Sequence, residues 1–269
     1  MSEKFAEKYG SWAIVTGSSS GIGVEFARQL AEKGMNLVLV ARRRNMLEEV
    51  AAKITLDFGV LCRIIECDLS QEGFQAAILE GTKDLDVGML VNNAGMNCEG
   101  HFYRGDLERN LKMLQLNMKA PFILAYEFGK KFMEKGKGAI IFTSSISAFN
   151  ANPYLSHYGA TKAYILSLAE SMNYEFKDSH VDVLAICPGF TKSEMTRGIK
   201  DSPFLMEAAP VVKLALDNLG KKAYVVPGMI NKAQIFFQTR ILGRDGARKV
   251  SGSILKKMLP GLGKKRKKG

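Results

Sequence analysis

The chain has 269 residues, 46% of them hydrophobic, enough to bury a full core in one large domain or two small ones. Its net charge of +11 sits at one end: residues 230–269 hold twelve Lys and Arg against Asp245 alone, so residues 1–229 are formally neutral. That excludes a nucleic-acid groove through the core, which would need basic residues spread over its surface, and no stretch reaches the roughly 18 apolar residues of a spanning helix.

The opening segment MSEKFAEKYGSW has no apolar run and predicts no signal peptide. Residues 13–15 form a short apolar strand, followed at once by Thr16-Gly17-Ser18-Ser19-Ser20-Gly21-Ile22-Gly23 and a helix over 24–33 that ends at Gly34. Strand, glycine-rich turn and helix are the setting of a dinucleotide site: the glycines let backbone approach a pyrophosphate, and the helix N-terminus favours its charge. A second buried strand, 36–40, ends in Ala41-Arg42-Arg43-Arg44. A carboxylate there would bind a ribose 2′-hydroxyl, whereas an Arg suits a 2′-phosphate, so NADP(H) is expected and NAD(H) less so. Arg42 is expected closest and Arg43 next.

A helix over 45–58 leads to a strand at 61–66, closed by Cys67-Asp68-Leu69. Asp68 is placed either to meet an adenine edge or to cap the next helix. A strand at 89–91 ends in Asn92-Asn93-Ala94-Gly95, small and amide residues that suit close approach to a cofactor. A long helical stretch, 107–135, carries Asn117, and a strand at 138–143 runs straight into Ser144 and Ser145. The helix over 155–177 carries Tyr158 and Lys162. A strand at 181–187 turns out at Pro188-Gly189, and residues 190–210 form a long segment with Met195, Phe204, Leu205 and Met206, the length of a substrate lid. A helix at 211–219 and a strand at 223–226 complete the unit. Cys62, Cys67, Cys98 and Cys187 have neither C-x-x-C spacing nor clustered His, which fits reduced thiols in the cytoplasm and predicts no metal site.

Tyr158 and Lys162 form a Y-x-x-x-K pair, one helical turn apart on one face. A phenol with pKa near 10 is a poor acid or base at neutral pH. A neighbouring ammonium stabilises the phenolate and lowers that pKa, and a seryl hydroxyl can orient a substrate oxygen against it. The set reads as an acid/base site for a reaction at a C–O centre.

Taken in order, Thr16–Gly23, Asp68-Leu69, Asn92–Gly95, Asn117, Ser145, Tyr158–Lys162 and Pro188-Gly189 resemble the short-chain dehydrogenase/reductase family over residues 11–228. The resemblance implies a single α/β Rossmann-type domain, residues 1–229, with a doubly wound parallel sheet of about seven strands. It implies that Ser145, rather than Ser144, polarises the substrate oxygen, that Tyr158 exchanges the proton, and that Lys162 lowers the pKa of Tyr158 and binds the nicotinamide ribose. Asn117 would hold a water linking Lys162 to solvent. Gly17, Ser19, Ser20, Gly21, Ile22, Gly23, Asp68, Leu69, Asn93, Ala94 and Gly95 would line the cofactor, and Pro188, Gly189, Thr191 and Ser193 would hold the nicotinamide carboxamide. Where the family often has Val and Thr, this chain has Thr191 and Ser193. Helices near 107–135 and 155–177 often pair in the family, which implies a homodimer.

Residues 225–228 followed by Asn231-Lys232 and the basic tail resemble the 3-oxoacyl and 17β-hydroxysteroid reductase branch. The expected activity is NADPH-dependent reduction of a hydrophobic ketone, 3-oxoacyl or steroid-like. Alternatives are an NAD(P)-dependent alcohol dehydrogenase and a non-catalytic cofactor-binding scaffold; a Rossmann methyltransferase would have no use for Tyr158 and Lys162. The extension 230–269 is expected to lie on an anionic membrane surface, the alternatives being a solvated disordered tail, a dimer-contacting helix and a nuclear-import-like run. Over 247–259 the spacing puts Ala247, Val250, Ile254, Leu255, Met258 and Leu259 on one side and Lys249, Lys256 and Lys257 on the other. Pro260 follows, then five basic residues over 264–268. The expected location is cytoplasmic, with peripheral contact to the cytosolic face of a membrane.

Overall fold

Alternation of inward and outward side chains along seven strands builds this molecule. A computed structural model describes residues 5–197 and 205–258. Phe204, Leu259, Pro260 and the basic run at 264–268 lie outside the described residues. After a short helix α1 (Phe5–Tyr9), the strands are β1 (Trp12–Thr16), β2 (Asn36–Ala41), β3 (Cys62–Glu66), β4 (Val87–Asn92), β5 (Gly138–Thr143), β6 (Val181–Ile186) and β7 (Tyr224–Val225). They form one parallel sheet in the order β3-β2-β1-β4-β5-β6-β7.

Both faces are covered, so the central strands read as continuous apolar runs. Ala13, Val15, Leu37, Leu39, Met89, Val91 and Ile141 point to one face, packed under α2 (Gly21–Glu32), α3 (Arg44–Phe58) and α8 (Ala208–Asn218). Ile14, Val38, Val40, Leu90, Ile140 and Phe142 point to the other, under α4 (Phe74–Glu80), α6 (Ala120–Lys135) and α7 (Ser156–Glu175). Strand order reverses beside β1, which has β2 on one side and β4 on the other. Open α/β sheets bind ligands beyond the carboxyl ends of their strands at such a switch point.

The expected doubly wound sheet is therefore present, with shifted boundaries. Helix α2 starts at Gly21, three residues earlier than its apolar period suggests, and Gly21 enters it at φ +55°, the left-handed region that glycine tolerates. Strand β7 is only two residues long. The stretch 107–135 is one helical path, α5 (Leu107–Leu114) running through a π turn (Gln115–Lys119) into α6. The π turn carries Asn117; such bulges recur at functional sites.

Beyond β7 the chain continues as α9 (Met229–Phe236), a π turn (Phe237–Ile241) and α10 (Gly243–Met258). Helix α10 departs from the expected single apolar side. Ala247, Ser251 and Leu255, at i, i+4 and i+8, are buried, while Val250 and Ile254 are exposed. The buried face lies over the loop ahead of Tyr158. A side chain on Gly252 would come within 3.2 Å of Pro153, and Asn150 Nδ2 donates to Gln238 Oε1 at 3.0 Å while Gln238 Nε2 donates to Ser251 Oγ at 3.5 Å. This part of the extension packs on the loop that leads to the catalytic helix, instead of presenting one free amphipathic face.

Candidate active site

The glycine turn between β1 and α2 is pinned to the end of β4 by one hydroxyl. Thr16, fully buried in β1, donates through Oγ1 to Val91 O at 3.1 Å and accepts from Asn93 N at 2.9 Å and Ala94 N at 3.0 Å. Asn93 Nδ2 returns a bond to Thr16 O at 3.0 Å and reaches Gly17 O at 3.4 Å, and its Oδ1 accepts from Thr143 Oγ1 at 3.2 Å. The turn needs glycine: Gly17 has φ +67°, and a Cβ there would fall 2.9 Å from Ala94 Cα, while a Cβ on Gly23 would fall 2.1 Å from Gly17 O. Ile22 packs its side chain on the core beneath, and Ser20, the N-cap of α2, leaves the helix's first N–H groups without a side-chain cap.

Of the two arginines after β2, Arg43 reaches this turn. Its Nη2 donates to Ser19 Oγ at 3.0 Å, and its guanidinium grips Glu194 through both oxygens at 2.7 and 2.8 Å. Arg42 points to solvent and acts on Asp68 through its charge. Burial pushes the Asp68 carboxyl up, but bonds from the Ser70 hydroxyl and N–H, together with Arg42, hold it below its ordinary value. Asp68 thus closes a local turn, and Leu69 is buried in the core.

Ser145, Tyr158 and Lys162 come together at the carboxyl end of β5. Ser145 caps a short turn (Ile146–Ala148), its Oγ accepting from Ser147 N at 3.1 Å, and its hydroxyl lies close enough to Tyr158 to act on the phenol. Ser144 is turned away: its Oγ donates to Lys162 O at 2.8 Å, tying α7 to β5. Lys162 is buried, its Nζ donating to Thr143 O at 2.8 Å and lying 5.7 Å from the centroid of the Tyr158 ring. Burial lowers its pKa to about 8, leaving it mostly protonated at pH 7. Tyr158 departs from the simple expectation. Burial raises its pKa, with the Ser145 hydroxyl opposing. Cys187, beside Lys162, is pushed up to about 12 by burial and stays a thiol.

Asn117 secures the other wall. Its Nδ2 donates to Met96 O at 2.9 Å and Thr161 Oγ1 at 3.2 Å, and its Oδ1 accepts from Met96 N at 2.9 Å. The side chain thus fixes the strand end at Gly95. A Cβ on Gly95 would meet Asn117 Oδ1 at 3.3 Å and Lys162 Nζ at 3.5 Å.

The segment after β6 closes the far side. Pro188 O accepts from Ile146 N at 3.0 Å, joining it to the Ser145 turn. Gly189 is covered by Asn231 of α9, which a Cβ would meet at 2.7 Å. Thr191 is buried, donating to Gly189 O at 3.2 Å and bridged to Met206. Ser193 lies on the glycine turn, its Cβ 2.7 Å from where a side chain on Gly21 would begin. Of the expected lid residues, Met195 is half exposed, Leu205 is half buried and Met206 packs inward on the core.

The arrangement fits a dinucleotide. The buried Ser18 Oγ has no hydrogen-bond partner within the glycine turn, the turn has no room for side chains at Gly17 and Gly23, and Gly95 opens between Asn117 and Lys162 in a gap that a Cβ would fill. Sequence reasoning missed Thr16, Thr143, Thr161 and Glu194. Thr16 stands first in the glycine motif, but no spacing assigns its hydroxyl to β4. Glu194 is 151 positions from its partner Arg43, and no local pattern points to it.

Comparison with known proteins places the chain. Residues 11–203 match the short chain dehydrogenase family. A 7β-hydroxysteroid dehydrogenase of Clostridium sardiniense is 33% identical, over 86% of this chain and 90% of that one. A very-long-chain 3-oxoacyl-CoA reductase-like protein of Arabidopsis thaliana is 34% identical, over 88% of this chain and 78% of its own. The structure of a short-chain dehydrogenase from Sphingobium yanoikuyae in complex with NADPH superposes with a TM-score of 0.74 at 31% identity, covering 86% of this chain and 96% of that one. With the glycine turn, the Ser145, Tyr158 and Lys162 cluster and this match in hand, the chain belongs to the short-chain dehydrogenase/reductase family and is an oxidoreductase of it.

Proposed function

We propose that the protein reduces a bulky hydrophobic ketone, steroid-like or 3-oxoacyl, with NADPH. The observation that carries the reading is the meeting of Ser145, Tyr158 and a buried Lys162, its Nζ 5.7 Å from the Tyr158 ring centroid, at the carboxyl end of β5. A bound nicotinamide dinucleotide supplies the hydride. Ser145 donates a hydrogen bond to the carbonyl oxygen and orients it on Tyr158. The phenol is protonated at neutral pH, as a donor must be, and with burial raising its pKa it relies on Ser145 and the Lys162 cation to ease its ionisation. Tyr158 Oη passes its proton to the carbonyl oxygen, and the cationic Lys162 stabilises the phenolate left behind. Asn117 and Gly95 hold the wall against which Lys162 is set, and Pro188, Gly189, Thr191 and Ser193 form the opposite wall.

The choice of NADP(H) over NAD(H) rests on the end of β2. Arg43, with Arg42 beside it, offers a guanidinium next to Ser19; the end of β2 itself carries no acid to bind a 2′-hydroxyl, and the carboxylate nearby, Glu194, is engaged by Arg43. The Sphingobium relative in complex with NADPH supports this choice. The hydrophobic substrate is supported by the hydroxysteroid and 3-oxoacyl-CoA relatives and by an aromatic rim ahead of Tyr158. There Phe102 stacks on His157 at 5.0 Å, and His101 meets Tyr154 edge-on at 5.2 Å. The test is oxidation of NADPH and NADH in turn against 7-oxosteroids, 3-oxoacyl thioesters and small ketones. NADPH consumption with the bulky substrates is expected; equal use of NADH, or turnover only from the alcohol side, refutes the reading.

A membrane-facing surface is favoured by the chain beyond β7. Among the described residues no helix is long and apolar enough to cross a bilayer. Met229, Ile230, Phe236, Phe237 and Ile241 are exposed among Lys232, Arg240 and Arg244, and Val250 and Ile254 are exposed among Arg248, Lys249 and Lys257. A groove of about 890 Å³ at the β7 edge is lined by Phe149, Tyr224, Ile235 and Phe236 and by Lys222, Lys232 and Arg240. Exposed apolar groups set among cations suit the cytosolic, anionic face of a membrane. A homodimer is supported by the exposed Leu111, Phe122, Tyr126 and Met133 of α5 and α6 with Tyr164 and Tyr174 of α7. Light scattering on the eluting protein reads that state directly, and a monomer mass rejects it.

A further inference from the structure

Glu194 occupies an unusual place for an acid. It stands in a short turn (Glu194–Thr196) after β6, 151 positions from Arg43 in sequence. Its two oxygens accept from Arg43 Nη1 at 2.7 Å and Nη2 at 2.8 Å, the forked geometry in which a guanidinium also takes a phosphate. The same carboxylate reaches Ser20 Oγ at 3.4 Å, and the same guanidinium is bonded to Ser19 Oγ. The anion-recognising groups at the end of β2 and in the glycine turn thus already share one internal anion.

The turn that presents Glu194 is built to stay in place. Ser193 and Thr196 form a capping box, and Thr196 Oγ1 donates to Thr191 O at 2.8 Å. Ser193 rests on Gly21, where even a Cβ would collide. The ion pair itself is open to water, Arg43 at 41% and Glu194 at 38% side-chain exposure. An exposed pair is weak and exchangeable, so a phosphate dianion can displace the carboxylate from the fork.

We propose that Glu194 is a specificity-determining residue, an internal phosphate mimic that competes with the 2′-phosphate of NADP(H) for Arg43. This rests on the NADP(H) reading above. While Glu194 holds Arg43, the segment 191–196 is latched over the glycine turn. A cofactor with a 2′-phosphate takes the fork and frees the carboxylate. A cofactor without one leaves the pair in place and gains nothing from Arg43. Glu194 therefore lowers the affinity for NADP(H) and sets how far it exceeds that for NAD(H).

The test is equilibrium binding of NADPH and NADH, followed by cofactor fluorescence, to wild type, Glu194→Gln, Arg43→Ala and the double variant. Both side chains are exposed, so thermal midpoints report whether the variants remain folded. Glu194→Gln is expected to lower the Kd for NADPH about fivefold, the scale of an exposed ion pair removed from competition, and to change that for NADH less than about twofold. In the Arg43→Ala background the same substitution should have almost no effect. If the wild type prefers NADPH but Glu194→Gln leaves its Kd unchanged or raises it, the competition is refuted and Glu194 is a structural anchor. An equal gain with and without Arg43 also refutes it. If the wild type binds NADPH no tighter than NADH, the NADP(H) reading itself falls.

Discussion

Replacing Thr16 by Val tests how the site is held together. The side chains are nearly isosteric, both suit a strand, and Thr16 is 1% exposed, so the change removes a hydroxyl and little else. Three hydrogen bonds go with it. Asn93 N keeps Val91 O as a partner at 3.1 Å, and Val91 O keeps Asn93 N. Ala94 N loses its bond to Oγ1. One amide left unsatisfied costs about 1–3 kcal/mol, and two further bonds are weakened, so a loss of about 2–3 kcal/mol is expected. For a chain of this size that lowers the thermal midpoint by roughly 4–10 °C. Thr16→Ser keeps all three bonds and loses one methyl, worth about 1 kcal/mol. Because Asn93 also braces the glycine turn, Thr16→Val should weaken dinucleotide binding as well, while Thr16→Ser should not. Urea unfolding of the three proteins, with NADPH titration beside it, makes the comparison. If the Val variant is as stable as the Ser variant, the hydroxyl does not pin β1 to β4 and this account of the site's rigidity is wrong.

Four other outcomes follow from the same geometry. Tyr158→Phe should lower kcat by about 10²–10⁴-fold with NADPH binding nearly intact, and retention of more than about a tenth of the rate in steady-state assays removes Tyr158 from its role. Lys162 has a folded pKa of about 8, below its unfolded value, so the unfolded chain binds the extra proton between about pH 8 and 10. Wild type should therefore gain stability relative to Lys162→Met across that window, while kcat/KM falls as the cation is lost; urea midpoints and rates over pH 6.5–10 check both. Arg43→Ala should cost on the order of 1.5–3 kcal/mol of NADPH affinity and Arg42→Ala less, measured by titration calorimetry. Liposome flotation should show full-length protein bound to anionic but not neutral vesicles, and Ile254→Glu with Phe236→Glu should release it; indifference to anionic lipid contradicts the surface assignment.

How much of this was legible in the sequence divides along a physical line. The sheet was readable because strands buried on both faces are written as unbroken apolar runs, as in 36–40 and 138–143, and no polar alternation competes with that signal. The glycine turn was readable because its requirement is local: Gly23 stands where a Cβ would strike Gly17 O, within one motif. Tyr158 and Lys162 were readable because one helical turn sets their spacing, and Ser145 was singled out over Ser144 by the family resemblance alone. What escaped was carried by contacts across the fold. The fork between Arg43 and Glu194 joins residues 151 positions apart, so no local pattern at the end of β2 announces it. The pKa of Tyr158 depended on how far the packed fold takes its ring out of water, which no spacing reports. The apolar side of α10 was counted by its helical period, but the period says only that Ala247, Val250, Ile254 and Leu255 lie near one another. Pro153 and Gln238 decide that Ala247 and Leu255 turn inward and Val250 and Ile254 stay out. A period-based moment cannot separate a stripe that docks on its own protein from one left for a partner. In this chain a single helix has both a buried and an exposed apolar side, so α10 joins the loop ahead of Tyr158, through Gln238 to Asn150 and through Gly252 to Pro153, to the outer surface.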